Sequence, residues 1–161
     1  MALHSHRERD NYTLEELNIR QQIIALWIVF LLGLLFHTQL ALMPLFHGLS
    51  VLAPHGQVAT SITEVVPILW GMLAFFLLPL LAILATVLAP TRRFRQAHFW
   101  GTLLYTVLNI GHLVADLVVK PIAWYQIVLM VLLVLVGLLL NYVGYGWMRR
   151  AASRPPRLSL V

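Results

Sequence analysis

Six side chains able to do chemistry recur through one apolar stretch of this chain: His98, Thr102, Tyr105, Asn109, His112 and Asp116. Their spacings of 4, 3, 4, 3 and 4 put all six on one face of a helix. A second apolar stretch carries His37, with Gly33, Ala41 and Pro44 on the same face. Ionisable groups among apolar residues mark a functional site by default when the surroundings are hydrocarbon. Imidazole binds zinc, copper and iron, and it serves as an axial ligand of haem iron. The chain has no cysteine. That excludes disulfides, thiolate-bound zinc, iron–sulfur clusters and covalent c-type haem.

The elements that must position these residues follow from composition. Of 161 residues, 60% are hydrophobic and 11% charged, against about half and a quarter in soluble domains. This excludes an ordinary soluble domain and a disordered chain. Four stretches reach the roughly 20 apolar residues that a membrane span needs: residues 23–45, 62–88, 99–119 and 122–147. The expected fold is all-α, a polytopic four-helix bundle running up-down-up-down. Residues 1–22 precede the transmembrane domain of residues 23–148, and residues 149–161 form a tail.

Basic residues set the orientation. Arg7, Arg9 and Arg20 precede span one, Arg92, Arg93 and Arg95 divide spans two and three, and Arg149, Arg150, Arg154 and Arg157 follow span four. Four crossings bring all of them to one side, so both termini are expected in the cytoplasm of a plasma or inner membrane. Thr13–Glu16 and Ser61–Glu64 read as capping boxes, and Pro121 suits the first turn of span four. Trp27, Trp100, Trp124, Tyr125, Tyr145 and Trp147 are expected at the membrane interfaces.

His37 lies roughly 25 Å along its helix beyond Arg20, and His112 roughly 25 Å beyond Arg95, at about 1.5 Å per residue. Spans one and three are parallel and diagonal in such a bundle. The two imidazoles therefore fall level in the outer half, able to grip one flat cofactor.

These three features resemble the membrane cytochromes b, four-helix bundles in which two diagonal helices hold b haem through paired histidines. His98 and His112, 14 residues apart, match the spacing of that family's ligand helix. The resemblance implies one haem b between His37 and His112, with Gly33 and Asn109 on the facing surfaces. It further implies electron transfer with other membrane redox subunits or a quinone. A second haem at His98 would need a partner near Ile23–Ile24, where no histidine stands.

Two other readings compete. In one, His37 and His112 join Asp116, His47, Glu64 and His55 in a non-haem copper, zinc or iron site used for metal handling or oxidase assembly at the outer face. In the other, the bundle is a cofactor-free accessory subunit, its histidines acting as interhelical glue. Individual residues also have plain explanations. Asp116 can pair with Lys120 at i+4, Glu64 can belong to its capping box, and His98 can be an interfacial side chain beside Phe99 and Trp100. His47 and His55 stand in a loop. No nucleophile–base pair, P-loop or dinucleotide fingerprint is present, which favours an electron-transfer or accessory subunit over a stand-alone enzyme. The expected surroundings are lipid, not nucleic acid.

Overall fold

A computed structural model describes the backbone of residues 2–49 and 59–152, and the side chains of residues 14–49 and 59–150. Four helices make up the described chain, with no strand among the described residues: α1 (Ala2–Phe46), α2 (Ile62–Leu88), α3 (Arg92–Val118) and α4 (Trp124–Ala152). All four are long and apolar enough to cross a membrane. α4 packs along both α3 and α1, while α2 leans chiefly on α1.

Helix ends follow from local chemistry. Ser61 caps α2, its hydroxyl accepting from the Thr63 amide, while Glu64 reaches back to the Thr60 amide and hydroxyl. Thr91 caps α3 by accepting from the Phe94 amide, so the helix begins at Arg92 and the arginine cluster belongs to it. Span three was expected to begin only at residue 99. α1 ends where Gly48 takes a left-handed φ of 70°, with the Leu49 amide returning to the Pro44 carbonyl. Pro121 lies in the bend before α4 and not in its first turn, because the first helical residue is Trp124. Thr13–Glu16 also departs from expectation. It lies within α1, which has already begun at Ala2, and Glu16 faces other helices.

Two glycines let helices approach closely. A Cβ on Gly33 would stand 2.5 Å from Leu133 Cδ2, and one on Gly137 would stand 2.9 Å from Thr106 Oγ1. Small residues at such contacts are how apolar helices gain packing. Around them, Trp27, Phe30, Leu34, Tyr105, Met130, Leu133 and Leu140 form the core. Trp27 and Trp147, expected at the interfaces, are buried in it at 2% and 0% exposure. Trp100, Trp124, Tyr125 and Tyr145 are exposed, as belt residues would be.

Polar contacts tie the helices at several levels. Glu16 accepts two bonds from the Arg95 guanidinium, at 2.6 and 3.1 Å, and one from Trp147 Nε1–H at 3.0 Å. Arg95 also lies over the Trp147 ring, 4.8 Å from its centroid. Arg20 donates to the Thr86 and Val87 carbonyls, which the end of α2 leaves without helical partners. Tyr105 donates to the Phe75 carbonyl at 2.8 Å. That carbonyl would ordinarily accept from residue 79, but Pro79 has no N–H.

Candidate metal centre

The polar stripe of α3 faces the interior along most of its length. His98, Thr102, Tyr105 and Asn109 are all buried. Trp27 Nε1–H donates to His98 Nε2 at 2.9 Å, and the rings of Phe94 and Trp147 also flank this imidazole. His98 is therefore a core residue and not the interfacial side chain expected from its neighbours Phe99 and Trp100. The reason is that α3 starts at Arg92 and α1 continues alongside it, so residue 98 is already inside the bundle. Two turns further along α3, Thr106 accepts from Asn141 Nδ2 at 3.0 Å and donates to the Thr102 carbonyl at 2.9 Å.

At the far end of the stripe, His37 of α1 meets His112 and Asp116 of α3. His37 Nε2 stands 3.1 Å from Asp116 Oδ2, and His112 Nε2 stands 3.6 Å from Asp116 Oδ1. The two imidazole centroids are 5.0 Å apart with planes at 81°. One donor atom from each residue lies within 4.8 Å of the other two, a grouping able to hold a metal ion. Side-chain exposure rises from 5% at His37 through 19% at Asp116 to 47% at His112. The cluster is thus rooted in the bundle and open on the His112 side.

The local sequence accounts for this arrangement. His112 and Asp116 are one turn apart on α3 and share a face. Equal helical distances from Arg20 and Arg95 bring His37 level with them. Asp116, expected to pair with Lys120, engages the two imidazoles instead, because its face of α3 turns toward α1.

The remaining candidates are not among the three donor residues of this cluster. Gly33 packs against Leu133 of α4. Asn109 is 3% exposed, and its Nδ2 has no partner among the described residues. Glu64 caps α2 through Thr60, and His47 is exposed beyond the end of α1. His55 lies outside the described residues. Sequence reasoning missed the Glu16–Arg95–Trp147 contact altogether. Its only sequence signal is an acidic residue and an arginine at the near ends of two spans. Comparison with family models, with curated proteins and with solved structures finds no match.

Proposed function

We propose that this chain is an integral membrane protein that binds one divalent transition-metal ion through His37, His112 and Asp116 near its outer surface. The observation that carries this reading is the convergence of two imidazoles and one carboxylate from two helices, with donor atoms within 4.8 Å of one another. Nitrogen and oxygen donors in this ratio suit zinc, iron(II) or copper(II). Three protein ligands leave positions open for water or for an acceptor group. The exposed edge at His112 gives the ion a way in and out, which suits capture and transfer at the outer face.

The carboxylate between the rings favours a bare ion over haem. A bis-histidine haem needs two imidazoles facing each other across a porphyrin. Here both Nε2 atoms point to one carboxylate, and the rings meet edge to face. The sequence-level expectation of haem b, with quinone or redox subunits as partners, has less support than the non-haem reading for that reason.

The membrane setting draws support from the apolar surface. Leu32, Phe36, Leu69, Leu104, Val128 and Leu135 are at least half exposed, as hydrocarbon contact would favour. Contacts at both ends support an up-down-up-down bundle. Glu16 meets Arg95 in the first turn of α3, His37 further along α1 meets Asp116 in the last turn of α3, and Trp147 near the end of α4 returns to Glu16. The arginine clusters favour cytoplasmic termini. Cysteines introduced at Gln57 and Ser159 test this: Gln57 is expected to label from outside only, and labelling from the cytoplasm would refute the orientation.

Titration of the purified protein with cobalt(II) tests the site. A visible ligand-field band saturating at one equivalent is expected, and it should vanish in His37→Ala and Asp116→Asn. A folded protein that takes up no cobalt would reduce the cluster to a contact holding α1 to α3.

A further inference from the structure

α2 and α3 diverge, and a groove of ≈ 370 Å³ opens between them. Ala82 and Ala85 of α2 and Ala97 and Gly101 of α3 form its walls, with Trp27, His98 and Tyr105 as the floor, an apolar lining apart from the His98 imidazole. Small side chains make the space: a Cβ on Gly101 would meet nothing within 4 Å. The α3 lining runs from Phe94 to Tyr105, a length of about 16 Å at the helical rise. One leaflet of a bilayer core is half of about 30 Å. The groove therefore has the length of one leaflet's acyl chains and lies in the half of the bundle nearer the arginine clusters.

The mouth of the groove carries a charge suited to one class of occupant. Arg93 stands one turn before Ala97 and two before Gly101, on the lining face of α3. It is exposed, and no carboxylate pairs with it among the described residues. Arg20 is engaged on the α2 carbonyls, Arg95 on Glu16 and Arg150 on Glu15, while Arg92 beside it is exposed as well but lies a residue off the lining face. Side chains on a helix tilt toward its N-terminus, so Arg93 extends from the apolar groove toward headgroup level.

We propose that the α2–α3 groove holds an acyl chain of one anionic phospholipid from the cytoplasmic leaflet, whose phosphate is held by Arg93. The proposal rests on the membrane-spanning reading and is independent of the metal. An acyl chain matches the apolar walls and the leaflet length, and a phosphate matches the free guanidinium. A neutral quinone would leave Arg93 without a counter-charge.

Native mass spectrometry of the detergent-purified protein tests this, with phosphatidylglycerol and phosphatidylcholine of identical chains offered together. Phosphatidylglycerol should be retained about fivefold over phosphatidylcholine, the worth of one basic residue beside an anionic lipid. Arg93→Gln should abolish that preference while a lipid still binds. Gly101→Leu, whose side chain enters free space, should lower retention of both lipids. Equal retention by the wild type, or Gly101→Leu binding both lipids as the wild type does, overturns the proposal. So does displacement of the phospholipid by a neutral quinone, or a dimer that Gly101→Leu dissolves. Carbonate extraction of membranes reports on insertion separately: a protein released by carbonate would refute the spanning reading itself.

Discussion

Removing the Glu16 carboxylate should be among the most damaging single changes outside the apolar core. Glu16 is the shared acceptor of Arg95 and Trp147, and it joins α1 to both α3 and α4. Arg95 is 6% exposed, so Glu16→Ala leaves a buried guanidinium without its counter-charge. Removing one partner of a buried pair costs about 3–5 kcal/mol. Two features place the expected loss near the lower bound. The Glu16 side chain keeps 19% of its exposure, and Arg95 retains a bond to the Pro90 carbonyl at 3.2 Å. A loss of about 3 kcal/mol corresponds to a roughly hundredfold fall in the folding equilibrium. Reversible unfolding in mixed micelles, followed by tryptophan fluorescence, measures it. Replacing both partners, as Glu16→Leu with Arg95→Met, should recover much of the loss, since a matched apolar pair is often neutral. Single losses that simply add in the double variant, within about 0.5 kcal/mol, would refute the reasoning, because they would mean the two side chains do not interact.

Other contacts give equally direct expectations. Tyr105→Phe should cost about 1–3 kcal/mol by stranding the Phe75 carbonyl. Pro79→Ala in that background should restore part of it by supplying the missing backbone N–H, as the same unfolding assay would show. Gly33→Ala should cost about 1–3 kcal/mol through overpacking, and Leu133→Ala should relieve the clash. Arg20→Met removes the cation from the end of α2 and should lower stability by about 0.3–1 kcal/mol, with increased amide exchange at Thr86–Leu88.

Much of the architecture was legible from composition and periodicity. The four apolar stretches became four helices, and the 4–3 spacing from His98 to Asp116 placed the first four residues of the stripe indoors. Helix boundaries were less legible. Thr91 caps α3 through a single hydroxyl, a signal easily lost beside the arginines, and the Thr13–Glu16 pattern proved compatible with the middle of a long helix. Within the candidate site, equal depth brought His37 and His112 together, but their relation to Asp116 depended on how α3 is rotated about its axis. The i+4 rule offered both His112 and Lys120 as partners, and only packing against α1 decides between them. The burial of Trp27 and Trp147 was hidden for a related reason. A tryptophan near the end of an apolar run can face headgroups or the neighbouring helices, and here each donates its indole N–H inside the bundle.

The most direct test of the metal reading is elemental analysis of protein purified from membranes without chelators, with a visible spectrum recorded on the same sample. One first-row transition-metal ion per chain and no haem absorption are predicted for the wild type. His37→Ala, His112→Ala and Asp116→Asn should each lose the ion, while His98→Ala and Glu64→Gln should keep it. A low-spin haem spectrum that disappears with either His37 or His112, or a folded wild type free of both metal and haem, would contradict a non-haem metal centre at these residues.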